Sequence, residues 1–132
     1  MPLIYILEDD SSVRELETYA LQGNGFEVEG FEEPKSFYNA LGKKKPDLII
    51  IDVMLPGEDG ISITKKLRAS SEFKRIPVVM VTAKDSEIDA IKGLDCGADD
   101  YITKPFSVMI FISRVKAVLR RVSENDERRD YS

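Results

Sequence analysis

Leu48-Ile49-Ile50-Ile51-Asp52 holds four unbroken apolar residues and then a carboxylate, after Pro46-Asp47 and before Pro56-Gly57. A run of that length without alternation suits a strand of a parallel sheet, covered on both faces. Working outward, Leu3–Leu7 and Val78–Val81 read the same way, and Tyr101-Ile102 as a shorter strand. Phe26-Glu27-Val28-Glu29 alternates apolar and charged, as expected of a half-covered edge strand. Between these runs the period becomes helical. Ser12-Val13-Arg14-Glu15 has capping-box form, with Val13, Leu16 and Ala20 on one face. Pro34 suits the first turn of a helix carrying Phe37 and Leu41, with Gly42 at its end. Ile61–Ala69, Ser86–Gly93 and Ser107–Arg121 complete the set. Five strand-then-helix repeats predict an α/β, doubly wound, five-stranded parallel sheet in three layers. Right-handed crossovers and an edge-like second strand favour the flavodoxin-like order 2-1-3-4-5.

The 132 residues suffice for one core. A net charge of −5 argues against this piece gripping nucleic acid or an anionic membrane by itself. The single cysteine, Cys96, rules out an internal disulfide and a CxxC site, consistent with a reducing cytoplasm. The apolar start is too short for a signal peptide, and no run is long enough to span a bilayer, so a soluble cytoplasmic protein is expected. There is no histidine, which excludes Ser-His-Asp and Cys-His triads, His-ligated metals and a phosphohistidine carrier.

Ligands of such folds bind at the carboxyl ends of the strands. The first strand ends in Glu8-Asp9-Asp10, the third in Asp52 and the fourth in Thr82, and the fifth leads into Lys104-Pro105. Adjacent carboxylates repel unless a cation lies among them, and oxygen ligands without His or Cys suit a hard ion, Mg²⁺. Such an ion would bridge a phosphoryl donor to Asp52, with Lys104 as a second positive group and Thr82 as a hydrogen-bond donor. Singly, each residue has a plainer reading. Asp9 and Asp10 suit a helix N-terminus, Asp52 a turn, and Lys104 a solvated surface. Four separate strand ends that each supply the apt group outweigh those readings.

With these residues in place, the sequence resembles the receiver domain of bacterial two-component response regulators, the CheY-like fold, over residues 3–121. The matching pieces are Leu7-Glu8-Asp9-Asp10, the run from Pro46 through Asp52 to Gly60, Val81-Thr82-Ala83, and Gly97 through Lys104-Pro105-Phe106. The resemblance implies Asp52 as phosphoacceptor, and Asp9 (directly) and Glu8 (through water) as holders of Mg²⁺, with the Met54 carbonyl as a further ligand. Many receivers have two aspartates where this chain has Glu8-Asp9. It also implies Thr82 and Tyr101 as a switch pair, Lys104 as the phosphoryl-contacting lysine, and a cis Lys104–Pro105 bond. A sensor histidine kinase would be the donor.

The stretches Asp99–Phe106 and Arg114–Arg121 look most like the OmpR/PhoB transcription-factor subfamily, whose phosphorylated receivers pair through the fourth helix, fifth strand and fifth helix. The last helix carries a stripe of Val108, Ile112, Val115 and Leu119, yet Met109, Ile110 and Phe111 are apolar too, more than one stripe buries. Asp99 and Asp100 with Lys92, Arg114, Lys116 and Arg120 suit complementary pairs across a two-fold homodimer interface, and equally a solvated face. Residues 1–121 are thus read as the receiver, and 122–132 as a polar tail or the start of a linker to an output domain through which alone DNA would be bound. The competing enzyme reading is a phosphatase of the haloacid-dehalogenase kind, which needs an aspartate two residues past its nucleophile; here that residue is Met54. A flavodoxin-type carrier would need a phosphate loop after the first strand, where this chain is acidic.

Overall fold

A computed structural model describes residues 1–83 and 95–130, with 124–130 by backbone alone. The helix expected over Ser86–Gly93, and Lys92 with it, lie outside the described residues. The strands are β1 (Leu3–Leu7), β2 (Glu27–Phe31), β3 (Leu48–Ile51), β4 (Val78–Thr82) and β5 (Asp100–Thr103). They form one parallel sheet in the order β2-β1-β3-β4-β5, as the alternation predicted. Four helices lie among the described residues: α1 (Ser11–Gln22), α2 (Pro34–Lys43), α3 (Gly60–Ala69) and a C-terminal helix (Val108–Asp130).

Strand periodicity sorts the apolar runs into two cores. Leu3, Tyr5, Leu7, Ile49, Ile51, Val78 and Met80 pack with Phe37 and Leu41 of α2 and Ile63 and Leu67 of α3. Ile4, Ile6, Leu48, Ile50, Val79 and Val81 pack with Ala20 and Leu21 of α1 and Phe111, Val115 and Val118 of the C-terminal helix. That double burial is why β1, β3 and β4 show no alternation. β2 lies at the sheet's edge with Glu27 and Glu29 exposed, as its alternation implied.

Four local expectations shift. The capping box read at Ser12 is displaced: α1 begins at Ser11, and Asp10 caps it by accepting hydrogen bonds from the Ser12 and Val13 amides at 2.9 and 3.2 Å. The buried face of α1 is Glu17, Ala20 and Leu21, whereas Leu16 is 46% exposed. On the C-terminal helix the core stripe is Phe111, Ile112, Val115 and Val118, while Val108, Met109 and Ile110 are exposed. That helix also continues to Asp130, past the end expected at Arg121, because a polar segment without apolar period can extend a helix already nucleated. No helix of the described residues is long and apolar enough to cross a membrane.

Gly60, the first residue of α3, lies hard against β3. A Cβ there would abut the Asp52 carbonyl oxygen and come within 2.7 Å of Ile51 Cγ2. Gly60→Ala is therefore expected to destabilise the fold by about 1–3 kcal/mol, read as a lowered urea midpoint with an unchanged slope. An unchanged midpoint would mean that α3 shifts freely away from β3.

Candidate functional site

The carboxyl ends of β1, β3 and β4 carry the acidic and hydroxyl groups because each strand stops where apolar sequence gives way to polar. Glu8 follows β1 directly, and its amide donates to the Phe31 carbonyl at 3.0 Å. Asp52 follows β3, with its amide on the Leu7 carbonyl at 3.0 Å, so the two ends stay in register. Thr82 closes β4 and is buried; its carbonyl accepts the Lys104 amide at 2.8 Å. The Lys104–Pro105 peptide that follows is cis.

One carboxylate oxygen each from Glu8, Asp9 and Asp52 lie within 4.8 Å of one another. Glu8 and Asp52 are buried at 1% and 6% exposure, whereas Asp9 is exposed, so the cluster opens to solvent on the Asp9 side. Lys104 Nζ donates to Glu8 Oε1 at 2.5 Å and to Asp52 Oδ2 at 3.0 Å, serving as internal counter-ion to both. Asp52 Oδ1 accepts the Met54 amide at 3.0 Å, and Glu8 Oε2 accepts the Asp10 amide at 3.2 Å. Arg14 of α1 donates to the Glu8 carbonyl at 2.6 Å.

The electrostatics follow from burial. Desolvation pushes the Glu8 carboxyl up to about 7, assisted by Asp52 and opposed by the hydrogen bond from Lys104. Burial alone would lower Lys104, but its hydrogen bonds to Glu8 and Asp52 outweigh that, and its ammonium is held above the usual range. Three carboxylates without nitrogen or sulfur donors fit a hard divalent cation, which would take over part of the neutralisation that Lys104 now provides.

The structure brings Glu8, Asp9, Asp52, Met54, Thr82 and Lys104 to one end of the sheet. Tyr101, in β5, is half-buried against the core shared by α2 and α3. Asp10 is not in the cluster; it caps α1. Of the residues read as an interface, Asp99, Asp100, Arg114 and Lys116 have partners within the chain. Arg68 donates to Asp99 Oδ2 at 3.0 Å, and that oxygen also accepts the Val78 amide at 2.8 Å. Arg114 donates to Asp100 at 3.0 Å, and Lys116 to Asn24 at 3.2 Å. Arg120 is exposed on the same helix.

One acid was missed. Glu17 is 1% exposed, and neither carboxylate oxygen has a hydrogen-bond partner. Burial pushes it up to about 8; the charges of Glu8 and Asp52 add to this and Lys104 opposes it. The signal was present in the sequence, since Val13, Glu17, Ala20 and Leu21 share one helical face.

The response regulator receiver domain family matches residues 4–116. The phosphate regulon transcriptional regulatory protein PhoB of Escherichia coli is 47% identical over 120 residues, covering 91% of this chain and 52% of that protein. Sensory transduction protein RegX3 of Mycolicibacterium smegmatis is 42% identical over 127 residues, covering 96% of this chain and 54% of its own. The chain thus spans about half the length of the curated relatives it matches. Among solved structures, a response regulator from Chloroflexus aurantiacus superposes with a TM-score of 0.86 at 34% identity, over 90% of this chain and 98% of that one. The BeF3-activated N-terminal receiver domain of Klebsiella pneumoniae RstA gives 0.81 at 31% identity, over 89% and 98%. The chain belongs to the receiver domain family of two-component response regulators, and its sequence relatives are of the OmpR/PhoB type.

Proposed function

We propose that this chain is a phosphorylation switch in which Asp52 accepts a phosphoryl group from a sensor histidine kinase. The observation that carries the reading is the convergence of Glu8, Asp9, Asp52 and Lys104, from three strand ends, on one partly open pocket. Glu8, Asp9, Asp52 and the Met54 carbonyl would hold Mg²⁺, which when bound neutralises charge between the acceptor and the incoming phosphoryl oxygens.

An Asp52 carboxylate oxygen attacks phosphorus, a P–O bond forms, the P–N bond to the donor imidazole breaks, and the imidazole leaves. Lys104 already reaches Asp52 and steadies the added negative charge. The Thr82 hydroxyl donates to a phosphoryl oxygen, and Tyr101 follows the vacated space. The face of β5 and the C-terminal helix, with exposed Met109 and Ile110, then pairs with a second copy. DNA binding belongs to an output domain beyond this stretch, in the cytoplasm. The chain transfers a group to itself and turns over no free substrate, since Met54 stands where a phosphatase would need an acid.

Acetyl phosphate with Mg²⁺ is the direct test, read by intact mass and peptide mapping. One phosphoryl group per chain, on Asp52 and dependent on Mg²⁺, is the expected result. Multiple turnover of diverse phosphate esters would instead establish the enzyme.

A further inference from the structure

The loop from Val53 to Asp59 bears the Met54 amide that fixes Asp52 Oδ1, so whatever holds that loop also aims the acceptor. Val53 and Leu55 are buried, and the Gly60 amide donates to the Val53 carbonyl at 3.0 Å. The outer half of the loop turns through Gly57 at φ 85° and leads to Glu58. There a polar cluster outside the acidic pocket takes over. The Tyr38 hydroxyl of α2 donates to Glu58 Oε1 at 2.9 Å, and Ser62 Oγ of α3 donates to Oε2 at 3.3 Å. Lys66 of α3 forms an ion pair with the same oxygen. One carboxylate thereby fastens the loop to two helices.

We propose that Tyr38 and Glu58 form a latch that positions the Met54 main chain, and through it the Asp52 carboxylate and the adjoining cation site. The protonation states suit the roles. Burial and then Glu58 hold the Tyr38 hydroxyl well above its ordinary value, so it remains a donor. The hydrogen bond from Lys66 holds the Glu58 carboxyl below its ordinary value, so it remains an acceptor. Neither residue touches the pocket; each acts through backbone. The Tyr38 ring packs beside Phe37, at 5.6 Å between centroids, so removal of the hydroxyl alone leaves the aromatic packing in place.

This inference rests on the proposed cation and phosphoryl site, and its test separates the two. Tyr38→Phe is titrated with Mg²⁺ while backbone amide resonances are followed, alongside wild type and Glu58→Gln, which keeps an acceptor for the hydroxyl. Tyr38→Phe is expected to shift the Met54 amide, speed its hydrogen exchange and weaken Mg²⁺ binding about five-fold, the worth of one hydrogen bond. Glu58→Gln, which keeps the acceptor for Tyr38 and gives up only the Ser62 and Lys66 contacts at the other oxygen, should move all three less than Tyr38→Phe does. A Tyr38→Phe protein with an unmoved Met54 amide and wild-type Mg²⁺ affinity overturns the latch. Should wild type itself take up no Mg²⁺, the functional reading falls, and the Met54 amide alone decides for or against the latch. If Tyr38→Phe unfolds, Glu58→Leu cuts the same bond from the loop side and is judged by the same readouts.

Discussion

Asp52→Asn is expected to abolish Mg²⁺-dependent phosphoryl uptake from acetyl phosphate while leaving the fold intact. An amide oxygen can still accept the Met54 amide that now lies 3.0 Å from Oδ1, so the β3 end keeps its local geometry. The lost atom is the nucleophilic oxygen that faces Lys104 at 3.0 Å. An amide there opposes two donors, Lys104 turns wholly to Glu8, and of the carboxylates left Glu8 is buried against Lys104 while Asp9 is the one assigned to the cation. A second consequence concerns Glu8. Hydrogen bonding and charge from Asp52 both push its carboxyl up, so in Asp52→Asn it should titrate below its present value of about 7. Intact mass after acetyl phosphate treatment checks the first claim, and side-chain carboxyl NMR the second. Full uptake by Asp52→Asn would place the acceptor elsewhere.

Glu17→Leu is expected to make the protein markedly more stable, and more so as pH rises. In the unfolded chain a glutamate ionises near the ordinary value of 4.5, whereas burial in the folded chain delays Glu17 to about 8. Between those values the unfolded state has released a proton that the folded state retains, so raising the pH favours unfolding. The loss is about 1.4 kcal/mol for each pH unit in that window, with a ceiling of roughly 5 kcal/mol once pH 8 is passed. Leucine removes this whole dependence. It also relieves the smaller penalty of a neutral carboxyl with no partner, which is felt even at low pH. Urea unfolding at pH 5 and pH 8 should show the two proteins closer at the lower pH and far apart at the higher. Parallel stability profiles for the two would show that Glu17 finds a polar partner in solution.

The fold was legible wherever a strand is buried on both faces, because Leu3–Leu7, Leu48–Ile51 and Val78–Thr82 have no face on which polar residues could interrupt the signal. β2 was legible for the opposite reason, since its alternating glutamates mark an edge. The acidic cluster could be read because ligand residues in this architecture fall at strand ends, which apolar runs mark sharply. What could not be read depends on distance across the fold. That Lys104 bridges Glu8 and Asp52 in the same instant, and that Arg68 takes up Asp99, are tertiary facts with no local signature. Glu17 was legible in principle, yet the expected stripe ran through Leu16, because side-chain type was weighed above angular position. Leu16 and Glu17 exchange the places their chemistry would assign them.

The exposed flank of β2 bears on how the molecule lives with copies of itself. An edge strand offers unpaired backbone groups to any other edge, and that is a route to aggregation. Here Glu27 and Glu29 stand on one face of the strand, and the Arg14 stem lies over Gly30, 3.0 Å from where a Cβ would be. Two such edges meeting antiparallel about Val28 would set Glu27 of one against Glu29 of the other, twice over, and like charges directly opposed are destabilising. The same acids that keep β2 soluble thus direct self-association away from the sheet's edge.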